Sequence, residues 1–152
     1  MLGAGDKVFL EGVYSKGAVG YAILNGIGST TAGVYADVNK YNWTADANAA
    51  ANGDAKLTTA WSVTGGLNHN FSKTIEANLG ASYAKVDSDG VAWALDYSQI
   101  IVGGDLRWKP AAGFYIAGAI DFRKVDFGAT ANAAGYRDNG AWLGTIRVQR
   151  SF

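Results

Sequence analysis

Apolar and polar residues alternate along most of this chain with a period of two, which is typical of β-strands. In residues 57–71, Trp61 and Phe71 fall on an apolar face, whereas Ser62 and Asn68 fall on a small, polar face. The same alternation is found in residues 7–14, 18–24, 32–39, 75–83, 99–108, 114–123 and 142–152. The pattern therefore predicts one all-β domain over residues 1–152, with about eight strands.

The connections between the predicted strands differ in length and composition. Residues 87–94 and 128–139 form long connections that are rich in Asn, Asp, Gly and Ala, and residues 45–55 resemble them. The short connections are residues 15–17, 25–29, 72–73 and 109–113. Short turns at one end and long loops at the other are typical of an antiparallel up-and-down β-barrel that spans an outer membrane. A soluble β-sandwich would bury the apolar face instead, so alternation alone leaves both architectures open.

Aromatic residues lie near both ends of the predicted apolar faces, and this favours the transmembrane barrel. Trp61 and Phe71 are ten residues apart, and ten residues of a tilted strand rise roughly 25 Å, the height of the apolar band of such a barrel. Aromatic rings favour both membrane–water interfaces. We therefore predict a girdle near the long loops (Trp61, Tyr83, Phe122 and Trp142) and a second near the short turns (Phe71, Trp108, Phe114 and Phe152).

Composition excludes several classes of function. The 152 residues carry 13 Lys+Arg and 13 Asp+Glu, so we expect no nucleic-acid partner. The chain has no cysteine and one histidine, His69, which excludes thiolate centres and multi-histidine metal sites, and we expect neither metal nor cofactor. No acid or nucleophile is evident beside His69 in the sequence. We therefore expect an interfacial side chain rather than a catalytic base, and no enzyme activity.

The predicted inner face carries both signs of charge, and two interpretations of it stay open. In a wide pore the arginines would line a water channel and bias it towards anions. In an eight-stranded barrel the same residues would pair into a network that plugs the lumen. Small residues on this face, such as Gly80 and Ala119, favour the wet pore. The predicted lumen-lining residues are Glu76, Asp105, Arg107, Asp121, Arg123 and Arg147.

Four segments resemble strands near the C-terminus of the alphaproteobacterial, rhizobial and brucella-type outer-membrane porins. They are residues 61–69 (WSVTGGLNH), 81–87 (ASYAKVD), 104–110 (GDLRWKP) and 146–152 (IRVQRSF). The resemblance implies a passive diffusion pore in a bacterial outer membrane, usually a sixteen-stranded barrel that assembles as trimers. It also implies that the terminal Phe152 serves as a signal for the barrel-assembly machinery.

The chain supplies about half of those sixteen strands. It is therefore expected to be the C-terminal half of a porin, a self-closed eight-stranded barrel, or one of two copies that close a larger barrel. We expect a porin-like channel for small hydrophilic solutes and ions, with outer-membrane lipid, the assembly machinery and a second copy of the chain as partners. The alternative is a closed eight-stranded structural or adhesive barrel with a charge-plugged lumen.

Overall fold

The computed structural model describes residues 3, 5–23, 45–88, 96–129 and 139–151. A short 3-10 helix, Val19–Tyr21, follows the first strand. None of the helices in these ranges is long and apolar enough to cross a membrane. The strands within these ranges are β1 (Lys7–Lys16), β2 (Ala47–Ala49), β3 (Ala55–Leu57), β4 (Thr59–Asn70), β5 (Ile75–Asp87), β6 (Tyr97–Ala111), β7 (Phe114–Phe127) and β8 (Asn139–Arg150).

Six of these strands form one antiparallel sheet in the order β1-β4-β5-β6-β7-β8. From β4 onwards each strand pairs with the next along the chain, as the up-and-down prediction requires. Residues 71–74 and 112–113 are short turns at one end, and Gly113 adopts the left-handed φ of 69° that the second turn needs. The long connections lie at the other end, and one of them contains the small hairpin of β2 and β3 within the predicted loop 45–55. Among the described residues β1 and β8 are unpaired edges, so the sheet is open there.

The two faces of the sheet have opposite chemistry. The outer face exposes its large apolar residues, and Leu10 on β1 and Ile146 on β8 are 79% and 83% accessible. The inner face carries small and polar residues, and Ala60 and Gln99 there are buried. A soluble sandwich buries its apolar face, and this sheet does the reverse.

The inner face curls around a cavity. One cavity of about 480 Å³ is bounded by residues of five strands, from Phe9 on β1 to Asp121 on β7, which a flat sheet could not achieve. Gly66, Gly80 and Gly103 lie in one row across three neighbouring strands of this face. A Cβ atom at Gly66 would lie 2.3 Å from the Phe9 ring, and one at Gly103 would lie 1.9 Å from the Asp121 carboxylate. The glycines therefore let both side chains fold flat over the sheet.

The predicted strand at residues 18–24 is wrong for the part that the structure describes. Gly17 turns the chain with a φ of 73°, and the Val19 amide donates a 2.7 Å hydrogen bond to the Asp46 carboxylate. Val19 and Ile23 are then buried in a cluster with inner-face residues such as Val86. The apolar residues of this segment pack against the concave face instead of alternating along a strand. The predicted strand 32–39 and turn 25–29 lie outside the described residues.

The predicted turn at Pro110 is also corrected, because β6 continues through this residue to Ala111. The pairing of β6 with β7 shifts register between Trp108 and Ala111. Proline lacks the N–H that a regular ladder needs, and a bulge accommodates it. Lys109 is thereby part of the strand, and its amide donates a 2.7 Å hydrogen bond to the Thr74 carbonyl.

Candidate pore lining and membrane interface

An ion-paired cluster lies on the inner face near the short turns. Register places Glu76 on β5 directly opposite Arg107 on β6, and Arg107 Nη1 lies 3.1 Å from Glu76 Oε1. Lys109 Nζ lies 2.5 Å from the second oxygen of Glu76, and Arg107 Nη2 lies 3.9 Å from Asp105. Alternate residues of a strand face the same way, which is why the two β6 cations, Arg107 and Lys109, meet one acid of β5.

Hydrogen bonds extend this cluster sideways into what we name the polar belt. Asn78 donates a 3.0 Å hydrogen bond to Asp105, and Asn68 donates a 2.8 Å hydrogen bond to Asn78. On the other side, the Arg107 guanidinium lies 4.8 Å from the ring centre of Tyr115, whose hydroxyl donates a 2.7 Å hydrogen bond to the Gln149 side chain. The polar belt comprises Asn68, Glu76, Asn78, Asp105, Arg107, Lys109, Tyr115 and Gln149.

The other predicted lumen residues lie on the same face but apart from this cluster. Asp121 folds over Gly103, and the buried Arg123 donates a 3.0 Å hydrogen bond to Gln99. Arg147 lies on the edge strand β8 opposite Ala117; it is exposed, and no ion pair to it is found within the described residues. The structure thus brings together Glu76, Asp105 and Arg107 and separates the other three, and the pore-lining role of all six stays a prediction.

The segment after β1 reaches into the concave face. Tyr21 and Ile23 enclose a cavity of about 210 Å³ together with inner-face residues such as Glu11 and Gln99. The sequence indicated a strand for this segment rather than an inward fold. The buried side of Val19–Ile23 instead covers the wall near the long-loop end.

His69 has an acidic neighbour that the sequence did not indicate. The Asp6 carboxylate accepts hydrogen bonds from the Asn70 amide (3.0 Å), from His69 Nδ1 (2.8 Å) and from the Gly3 amide (2.7 Å). These bonds, led by that of Asn70, lower the pKa of Asp6 from 3.8 to about 2. The His69 ring also meets the Phe71 ring edge to face at 4.5 Å. The contacts fasten the residues before β1 to the end of β4.

The aromatic residues of the outer face form two inclined rows. Near the long loops, the rings of Trp61 and Tyr83 are 5.4 Å apart and those of Phe122 and Trp142 are 4.8 Å apart. Tyr83 lies two residues nearer the short turns than Trp61 in register, and Phe122 and Trp142 lie two residues nearer again. Near the short turns, Phe114 lies two residues nearer this end than Ile116, the partner of Trp108. Phe71 lies in the turn after β4, and Phe152 lies outside the described residues.

The inclination of the upper row measures the tilt of the strands. The row descends by four residues from Trp61 on β4 to Trp142 on β8, four strands away. With about 3.3 Å per residue and about 4.8 Å between strands, a level girdle requires a tilt of about 35°. Strands of transmembrane barrels tilt by about 35–45°. The upper aromatic row is therefore level when the sheet has the orientation of a membrane barrel wall.

A family model described as the porin subfamily matches residues 1–145. The chain belongs to this porin family. Comparisons with curated proteins and with solved structures give no match. Porins are channel proteins of the bacterial outer membrane, and the exposed apolar face of this porin has the chemistry expected of a lipid-facing surface. The predicted porin family and the predicted antiparallel barrel fold are confirmed, whereas the alphaproteobacterial assignment stays a prediction.

Two residues of the porin wall, Lys109 and Phe9, were not predicted as inner-face residues from the sequence. Lys109 lies two residues after Arg107, so the alternation alone would place it on the same inner face. Pro110, however, indicated that the strand ends before Lys109. Phe9 faces inwards although both of its neighbours are apolar, so the alternation indicates no clear face for it. Within the described residues no group of three or more His, Asp or Glu could hold a metal ion.

Proposed function

We propose that this porin carries small hydrophilic solutes and ions passively through a lumen lined by the inner face. The polar belt supports this proposal most directly, because it places charged groups on a concave face beside a cavity of about 480 Å³. Arg107 and Lys109 stay 35% and 41% accessible within their ion pairs. Pore width would set the size limit, and the wall charges would set ion preference.

The charge balance of the wall favours a weak preference for anions. The strand positions that face inwards in the described residues carry five cations and four acids. Arg147 and Lys7 carry the unpaired positive charges, because both are exposed and neither has an ion pair within the described residues. The inward-facing charged residues are Lys7, Glu11, Glu76, Asp105, Arg107, Lys109, Asp121, Arg123 and Arg147.

The alternative is a closed structural barrel whose charges pair into a plug. In this alternative the paired Arg107 and Lys109 and the buried Arg123 would belong to the plug. In a plugged barrel such pairs would fill the lumen and exclude water.

Single-channel recording tests the proposal. The chain is refolded into a planar bilayer, and the reversal potential is measured in a salt gradient. We expect stable ohmic steps with a weak anion preference that Arg147→Gln reduces. Arg150→Gln is the matched control, because Arg150 lies three residues further along β8 and faces outwards opposite Phe114. Folded protein that gives no current steps would refute the channel and favour the plugged barrel.

A further inference from the structure

Two cavities of the inner face adjoin each other near the middle of the wall. The upper cavity, of about 210 Å³, lies beneath residues 20–23, and the lower cavity is the one of about 480 Å³. Thr64, Ser82 and Ile101 bound both cavities, and these residues form one row of the sheet in register. The cavities therefore meet along that row, and we name them together the wall cleft.

Two buried polar side chains of the upper cavity have hydrogen-bonding groups to spare. Ser62 and Gln99 are 7% and 4% accessible, and both line this cavity. The Gln99 carbonyl oxygen accepts the hydrogen bond of Arg123. The described residues offer no partner to the Gln99 amide nitrogen or to the Ser62 hydroxyl, although buried polar groups are normally hydrogen-bonded. The two groups lie two strands apart on one row with the small Ala84 between them, which suits a ligand with several hydroxyl groups.

The lower cavity combines an exposed aromatic ring, a bare floor and a carboxylate. Phe9 is 55% accessible although it faces inwards. In register, Phe9 on β1 and Asp121 on β7 lie at the two ends of one row, and the residues between them are Gly66, Gly80 and Gly103. A Cβ atom at Gly80 would meet nothing nearer than a carbonyl oxygen at 3.9 Å. The floor between the ring and the carboxylate is therefore bare backbone, which a ligand can approach closely.

The charges around the wall cleft favour a neutral ligand. Asp105 and Asp121 bound the lower cavity. Arg107 lies 3.9 Å from Asp105, and Arg123 follows Asp121 by two residues on the same face of β7. An anion would meet the two acids, and a cation would meet the two arginines. A sugar is neutral, its hydroxyl groups both donate and accept hydrogen bonds, and the C–H groups of a pyranose ring give it an apolar face for Phe9.

We propose that the wall cleft binds a neutral disaccharide, with one pyranose ring in each cavity. The lower ring lies on the Gly80 floor against Phe9 and donates a hydrogen bond to Asp121. The upper ring bonds to Ser62 and Gln99. The two rows that hold these groups are four residues apart, about 13 Å along the strands, which suits an extended pair of rings. The proposal names a solute class for the proposed channel, and it rests on that function for access of the sugar to the cleft.

Saturation-transfer NMR tests the site, because it detects millimolar binding without any ion current. The whole chain is refolded into micelles of lauryldimethylamine oxide, a detergent without sugar, and titrated with cellobiose or with glucose. We expect saturable transfer to cellobiose. Glucose should bind about a hundredfold more weakly, because the link between two rings makes the second contact intramolecular.

Three substitutions act on separate parts of the cleft. Phe9→Leu should weaken cellobiose binding about tenfold through the lost ring contact, and Phe9→Tyr should keep it. Gly80→Ala adds a methyl group to the open floor and should weaken binding about tenfold by overpacking. Ser62→Ala should weaken it about fivefold, because it removes one neutral hydrogen bond. Gly144→Ala is the matched control, because a Cβ there also meets nothing within 4 Å but lies on the outer face of β8.

The outcomes separate this proposal from its competitors and from the channel. No saturable transfer to cellobiose in the wild-type chain, equal affinity in Gly80→Ala and Gly144→Ala, or glucose that binds as tightly as cellobiose would overturn the proposal. So would transfer to tetramethylammonium that Asp121→Asn abolishes, without transfer to cellobiose, because the cleft would then be a cation site. Current steps in the bilayer without transfer to cellobiose would keep the channel and refute the disaccharide site. Transfer to cellobiose without current steps would keep the site and refute the channel.

Discussion

Gly104→Ala should destabilise the porin wall, because the outer face has no room for a methyl group at this position. A Cβ atom there would lie 2.8 Å from the Asn78 carbonyl oxygen and 2.7 Å from a terminal carbon of Leu79. The Leu79 side chain can rotate away, but the carbonyl belongs to the backbone of the neighbouring strand β5. The substitution must therefore move one strand relative to the other. Gly118→Ala is the matched control, because a Cβ there meets nothing within 4 Å on the same face of β7.

The expected loss follows from the cost of overpacking, about 1–3 kcal/mol. Gly118→Ala should instead be neutral or stabilise the fold by up to about 1 kcal/mol, since alanine loses less backbone entropy than glycine on folding. With a urea dependence of about 2 kcal/mol per molar, a loss of 2 kcal/mol lowers the unfolding midpoint by about 1 M. The assay is tryptophan fluorescence of the chain in vesicles across a urea series, approached from both the folded and the unfolded state. Equal midpoints for the two variants would refute the β5–β6 register on which the reasoning depends.

Two further predictions concern charged groups. Glu76→Gln removes the acid that Arg107 and Lys109 share, so the reversal potential should move further towards anions. The free energy of unfolding should fall by about 1 kcal/mol, a small loss because both cations are partly solvated. An unchanged reversal potential would contradict a role of this cluster in the pore. The lowered pKa of Asp6, about 2 against 3.8 in the unfolded chain, means that its hydrogen bonds stabilise the fold fully above about pH 4 and lose this effect as the pH falls towards 2. Asp6→Asn should therefore flatten the dependence of the urea midpoint on pH between about 4 and 2, and an equal slope in both proteins would show that Asp6 is not responsible.

The long strands and their two faces could be predicted because alternation is a local property. Trp61 and Ser62 differ in polarity and must point to opposite sides of any strand that contains them. The prediction of two aromatic girdles rests on the same alternation together with the length of the strands, and it stays a prediction. Which strand pairs with which then followed the up-and-down order from β4 to β8.

The features that could not be predicted depend on contacts between residues distant in sequence. Asp6 and His69 are 63 positions apart, and only the pairing of β1 with β4 brings them together. Residues 18–23 contain enough apolar residues for a strand, but their burial depends on the concave wall that receives them. Lys109 belongs to the wall because a bulge at Pro110 lets β6 continue, and local sequence favours a turn at proline.

The geometry of the inner-face contacts favours the channel over the plug. The Glu76–Arg107 and Glu76–Lys109 pairs join β5 to β6, and the Arg123–Gln99 hydrogen bond joins β6 to β7. Each contact links neighbouring strands, so it holds its side chains along the wall rather than across a lumen. A plug requires pairs between opposite sides of a barrel, where long side chains meet in the middle. Gly66 and Gly103 also keep side chains along the wall, since they let Phe9 and Asp121 lie flat against the sheet. We therefore expect a wall that ties down its charged and aromatic side chains in this way to leave the space in front of it to water.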